Sequence, residues 1–181
     1  YLVYGTRGDD AETATNRNLA NVRSQRLVQR AWAQATVVPD TAVDDALLAE
    51  HNLALFGRPS SNAVYQRLAD GFPVDVGDGR AAVGGREYSG DLGVEFVHPN
   101  PEHPDNLVQV DTGTSRSGVR LTRVRNWIPT QKATADYAIY DDSVRYQLWN
   151  ACRAAGFFDG EWNVDPELGY LRLGAVVAGD N

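Results

Sequence analysis

Residues 11–35 contain neither glycine nor proline, and they lie between two short β-favouring runs, Tyr1-Leu2-Val3-Tyr4 and Thr36-Val37-Val38. Within them Ala20, Leu27 and Ala31 fall at helical spacing, and Val28 and Trp32 widen the stripe. The segment therefore predicts one long helix. A strand, a helix and a strand in that order build a parallel sheet, because parallel neighbours need a crossover between them. The alternation continues. Residues 44–50 read as a brief helical turn. Asn52-Leu53-Ala54-Leu55-Phe56-Gly57 is a third strand, apolar enough to be buried on both faces. Residues 62–69 read as a helix with Val64, Tyr65 and Leu68 on its apolar side. The expected fold class is a three-layer α/β domain, Rossmann-like or flavodoxin-like, with a mostly parallel sheet.

After residue 72 the chain changes character and becomes glycine-rich. Turn signals stand at Asp78-Gly79, Gly84-Gly85 and Gly90-Asp91, and residues 81–83 and 86–88 flank Gly84-Gly85 as an inserted β-hairpin. Residues 92–97 and 107–110 predict two strands, stopped by His98-Pro99-Asn100-Pro101 and by Asp111-Thr112-Gly113. Residues 117–125 favour a helix, and Tyr137-Ala138-Ile139-Tyr140 a further strand. Residues 143–155 have an amphipathic helical pattern that places Trp149 in the core, with Gly156 as the helix-ending glycine. Residues 171–177 predict a closing strand. No repeat interrupts this order, and all 181 residues read as a single domain.

Composition narrows the function. The hydrophobic share is 43%, near the globular norm, so the chain can build an ordinary core without a metal or disulfide staple. No apolar run approaches the ~20 residues that cross a bilayer. The formal net charge of −7 argues against a nucleic-acid partner, since phosphate binding needs surplus cations. Cys152 is the single cysteine, so neither an intrachain disulfide nor a multi-cysteine metal site is available. The chain has no methionine and opens on a β-favouring run, which predicts that it is a fragment of a longer multidomain protein.

The chemistry-bearing residues each have a plain structural reading. A nucleophile elbow needs G-x-S-x-G, and the nearest segment, Gly113-Thr114-Ser115-Arg116-Ser117-Gly118, does not match it. His51 precedes a buried strand, while His98 and His103 sit in a proline-rich loop, so loop packing is favoured over general-base roles. Glu102 and Asp105 stand near those two histidines, yet Pro99, Pro101 and Pro104 exclude the helix that would align metal ligands, so no metal is called for. Gly5-Thr6-Arg7-Gly8 joins the first strand to the first helix, where a phosphate could sit. It matches no nucleotide-binding signature, however, and Asp9, Asp10 and Glu12 already complement the helix dipole. No cofactor is expected. Arg23, Arg26 and Arg30 read as a solvated helical face. Arg116, Arg120, Arg123 and Arg125, beside Trp127, form a denser patch suited to a carboxylate-bearing ligand or a partner domain. Trp127, Trp149 and Trp162 would be needed for a sugar-stacking platform.

Several segments together carry a family resemblance. They are Tyr4-Gly5-Thr6 with Gly8-Asp9; Asn52-Leu53 to Gly57 with Pro59 and Asn62; Val83-Gly84-Gly85-Arg86-Glu87-Tyr88 with Gly90; His98-Pro99-Asn100-Pro101; Asp136 to Asp141; and Ala155-Gly156-Phe157-Phe158-Asp159 with Trp162. In this the chain resembles a region C-terminal to, or associated with, the catalytic domain of large bacterial prolyl-oligopeptidase-family serine peptidases or esterases. The resemblance implies an extracellular or envelope-associated parent with its serine hydrolase domain elsewhere. It carries over no catalytic residue, and the shared residues are mostly turn formers.

Three functions are thereby expected in order. The first is a non-catalytic accessory domain that packs against the catalytic domain of its own parent chain or helps present a polymeric substrate. The second is a module binding a carbohydrate or small carboxylate in the crevice outside the strand ends, where open α/β sheets hold ligands. Thr6, Arg7, Arg58, Asn62, Asn100 and Thr114 would line it if the strands are parallel, with Arg116 nearby. The third is a stand-alone esterase or peptidase with Ser115 or Ser117 as nucleophile, His98 or His103 as base and Asp111 as orienter.

Overall fold

The computed structural model describes residues 1–125, 135–171 and 175–176. Strands β1 (Leu2–Tyr4), β2 (Val37–Pro39), β3 (Leu53–Phe56) and β8 (Leu107–Gly113) form the parallel half of an eight-stranded sheet. Strands β7 (Gly93–Pro99), β9 (Tyr137–Tyr140), β10 (Cys152–Phe158) and β11 (Val164–Leu171) complete it antiparallel, in the order β11-β10-β9-β7-β8-β3-β1-β2. A second sheet, β12-β6-β5-β4, consists of β4 (Val74–Gly77), β5 (Arg80–Val83), β6 (Arg86–Ser89) and β12 (Ala175–Val176). The fold is mixed α/β. The expectation of a mostly parallel sheet gives way to three parallel and four antiparallel pairings. The short connection from β7 to β8 allows only a hairpin, since a parallel crossover needs a dozen or more residues.

Alternation along the strands assigns the layers. In β3 all four residues are buried: Leu53 and Leu55 join one core cluster, Ala54 and Phe56 another. This is the two-faced burial that its unbroken apolar run predicts. One face of the sheet carries the helices α1 (Asp10–Ala31), α4 (Arg116–Arg125) and α5 (Val144–Gln147), through Leu19 and Ala20, Val119 and Leu121, and Val144. The opposite face carries α2 (Asp45–Glu50) and α3 (Ala63–Leu68), through Leu48, Val64, Tyr65 and Leu68. The small sheet lies there too, contributing Val74, Val76, Ala81, Val83 and Tyr88 to the same cluster. Burying each such side chain contributes about 1.5–3 kcal/mol, so this face dominates cohesion.

Local chemistry explains most element ends. Asp9 caps α1 by accepting the Glu12 amide at 2.7 Å, and Asp44 and Asn62 do the same for α2 and α3. Gly84 and Gly85, at φ +57° and +70°, form the two-residue turn of the β5–β6 hairpin, as their pairing in the sequence predicts. Helix α1 ends earlier than expected, where Trp32 turns left-handed and the residue is 94% exposed. Val28 is exposed as well, so the α1 stripe is fully buried only at Leu19 and Ala20 and thins to a partly buried Leu27 beyond them.

The C-terminal region corrects three expectations. The helix over 143–155 stops at Gln147, a 3-10 turn follows at Leu148–Ala151, and β10 then begins. Cys152, Ala154, Gly156 and Phe158 are buried in strict alternation, a period of two that pairing with β9 imposes over local helix propensity. Gly156 accordingly is a strand residue. A Cβ there would stand 2.5 Å from the Tyr137 hydroxyl and 2.7 Å from Gly169 Cα, so close strand approach, not helix capping, demands glycine. Of the closing strand expected over 171–177, residue 171 ends β11 and residues 175–176 form β12, which joins the small sheet; residues 172–174 and 177 lie outside the described residues. Strand β8 also runs on through Asp111-Thr112-Gly113, which the sequence reads as a stop.

A sharp dependence follows at α4. A Cβ on Gly118 would fall 2.1 Å from the Leu92 carbonyl oxygen, whereas one on Gly160 meets nothing within 4 Å. Gly118→Ala is expected to destabilise the fold by about 2–3 kcal/mol or more through forced backbone shifts, and Gly160→Ala by under about 0.5 kcal/mol. Urea denaturation of the two variants checks this; equal midpoints would contradict the packing.

Candidate functional site

The loops after β1 and β3 leave the sheet toward opposite faces, so the carboxyl ends of these neighbours form the topological switch point. In open α/β sheets this is where ligands enter. Thr6, Arg7, Arg58, Asn62 and Thr114 do gather at this end of the sheet, because β1, β3 and β8 are parallel.

Their polar groups are turned on one another. Arg58 donates from Nε and Nη2 to the two Glu12 carboxylate oxygens, each at 2.8 Å, and from Nη1 to Asp78 at 2.5 Å. The Glu12 side chain is only 5% exposed and that of Arg58 21%, so the fork is largely out of water. Asp40, fully buried, accepts from the Thr6 hydroxyl at 2.6 Å and the Ala63 amide at 2.7 Å. Asn62 donates to the Val3 and Phe56 carbonyls while capping α3. Asn16 reaches the Gly5 carbonyl from inside α1, and Arg7 donates to Gln66. Thr114 clasps the loop before β7, donating to the Gly90 carbonyl and accepting from the Leu92 amide. The Gly79 amide bonds to the Thr114 carbonyl, so the small sheet's turn roofs this end. Arg116 stands 3.8 Å from Asp9.

Asn100 corrects the expectation that it lines this crevice. It follows β7, which is antiparallel to β8, and so lies at the opposite end of the sheet. There its amide donates to the Leu48 carbonyl and its oxygen accepts the Glu102 amide, pinning the loop to α2. His98 and His103 share that end, as does His51 before β3. His98 is packed edge-on against Phe72, Phe158 and Trp162 at ring separations of 5.7–5.8 Å. Ser115 and Ser117 are beyond Gly113 at the other end, and Ser115 accepts the Gly118 amide to start α4. His98 pairs with Val108, so β8 separates the two sets by about 17 Å from Val108 to Gly113. No proton can pass directly across that distance.

Among the described residues no three His, Cys, Asp or Glu side chains converge as a metal site, and no helix is long and apolar enough to cross a membrane. Trp127 and the side chains of Arg125 and Trp149 lie outside the described residues. Glu12 and Asp40, the two carboxylates on which the switch point turns, are not singled out as partners by the sequence. Glu12 reads as a dipole-complementing residue, and its pairing with Arg58 spans two loops distant in the chain. No known family model matches the chain, and no curated protein is significantly similar to it.

The Arg58 hydrogen bonds hold the Glu12 carboxyl below its ordinary value of 4.5, outweighing burial. A carboxyl depressed on folding stabilises fully above the unfolded value, and that stabilisation is lost as pH falls through the lowered folded value. Glu12→Gln is expected to cost about 2–3 kcal/mol at pH 7 and to flatten the loss of stability below pH 4.5. Chemical denaturation of both proteins across pH 3 to pH 7 tests the sign and the size.

Proposed function

We propose that the chain is a non-catalytic accessory module of a secreted or envelope-associated serine hydrolase of the prolyl-oligopeptidase type. In this reading it is a Rossmann-like three-layer unit that packs against the catalytic domain of its parent chain or helps present a polymeric substrate. One observation carries the reading: Ser115 and Ser117, within the nearest approach to a nucleophile motif, stand at the opposite end of β8 from His98 and His103. The hydrogen bonding among the switch-point side chains supports it further, because Glu12, Asp40, Asn62 and Arg58 hold loops together. The separation of Ser115 and Ser117 from His98 and His103 gives the stand-alone esterase reading no support, and the crevice-binding reading would have to draw on donors that Arg58 and Asn62 already direct to Glu12, Asp78 and two backbone carbonyls.

The isolated chain is expected to hydrolyse no activated ester above background and to take no fluorophosphonate label. Removal of residues 1–181 from the complete protein is expected to lower its melting temperature or narrow its substrate range. Labelling at Ser115 or Ser117, or a complete protein lacking any other hydrolase domain, would overturn the proposal.

A further inference from the structure

The sheet face that carries α1, α4 and α5 holds a groove of about 530 Å³ away from the switch point. Its walls are Thr15 and Asn18 of α1, Arg120 and Arg123 of α4 and Arg145 of α5, over the buried Leu19. Its volume lies in the range of small-molecule pockets. Arg116, Arg120 and Arg123 are spaced i, i+4, i+7 and so share one side of α4. The first of them meets Asp9; the next two reach the groove, where no carboxylate of the described residues pairs with them. Arg145 is likewise unpaired there, while Arg153 in the adjoining cleft is held by Asp141 at 2.7 Å.

Gathering cations from two helices is costly. Arg26, further along α1, feels the Arg123 charge together with Arg23 and Arg30, and after burial these repulsions help lower its pKa. A chain with a net charge of −7 has carboxylates in excess, yet none of the described ones closes this groove. Guanidinium forks bind oxyanions in pairs of parallel hydrogen bonds, and the Asn18 amide on the facing wall adds a neutral donor, while the Thr15 hydroxyl donates to the Ala11 carbonyl of its own helix at 2.8 Å.

We propose that the α1–α4–α5 groove binds a small, multiply charged oxyanion, a polycarboxylate or a phosphorylated compound, held by Arg120, Arg123 and Arg145. Asn18 orients it from α1, and Leu19 accommodates its apolar part. The site stands whether or not the module is joined to a hydrolase, because all of its residues belong to this chain.

Calorimetric titration of the chain with sodium citrate and with sodium pyrophosphate, at fixed ionic strength, tests the proposal. Saturable one-to-one binding of either, with Kd below about 1 mM, is expected. The stronger of the two assigns the carboxylate or the phosphate class. Arg120→Gln/Arg123→Gln and, separately, Arg145→Gln are expected to weaken that binding at least tenfold, roughly what losing one charge-assisted hydrogen bond does. Arg80→Gln on the small sheet should leave it unchanged. All three arginines are exposed, so the variants should keep the wild-type circular dichroism spectrum. Binding no tighter than that of sulfate, or variants that bind as wild type does, would overturn the proposal. So would binding by a hexaglutamate peptide alone, which would make the groove a docking site for an acidic polypeptide.

Discussion

Strand β8 is the constraint on which the rest of the molecule depends. It pairs parallel with β3 on one side and antiparallel with β7 on the other, so the sheet changes sense along it. A strand with both edges paired has its backbone groups satisfied by its neighbours, and where helices cover the sheet its side chains are buried on both faces. This is why β8 extends through Asp111 and Thr112 despite their polarity, and why both are buried. The parallel half places its loops at one end of the sheet. The antiparallel half returns the proline-rich loop after β7 to the other end.

That change of sense has chemical consequences. Residues close in sequence, such as His98 and Ser115, are sent to opposite ends of one hairpin. Residues remote in sequence, such as Glu12, Arg58 and Asp78, are brought together. The second arrangement acts as a clamp: Arg58 ties α1 to the small sheet across the end of β3, and Thr114 ties the same turn to the loop before β7. A charged fork largely removed from water is costly to open by one partner, since the survivor is left without solvation. The crevice where such a sheet often binds ligands is thereby occupied by the protein's own side chains.

The helical face differs because helices α4 and α5 carry cations that the local packing leaves free. Arg145 follows β9, and only the packing of α5 beside α4 sets it against Arg120 and Arg123. The arginine patch on α4 was legible as a patch from residue spacing alone. The addition of Arg145 and of the facing wall on α1 was not, because neither is near the patch in the chain.

Short-range chemistry in the sequence determined the β-α-β-α-β start, the caps at Asp9, Asp44 and Asn62, the glycine turn at Gly84-Gly85 and the two-faced burial of β3. Each of these follows from periodicity, a capping side chain or a positive φ, all of which act within a few residues. Tertiary structure decided the antiparallel half of the sheet and the conversion of residues 152–155 from helix to the first half of strand β10. It also decided the placement of Asn100 and the histidines, the Glu12–Arg58 clamp and the three-helix groove. The physical reason is the same throughout: pairing between strands and ion pairing between loops are long-range interactions, and they override or complete a local pattern that does not contain them.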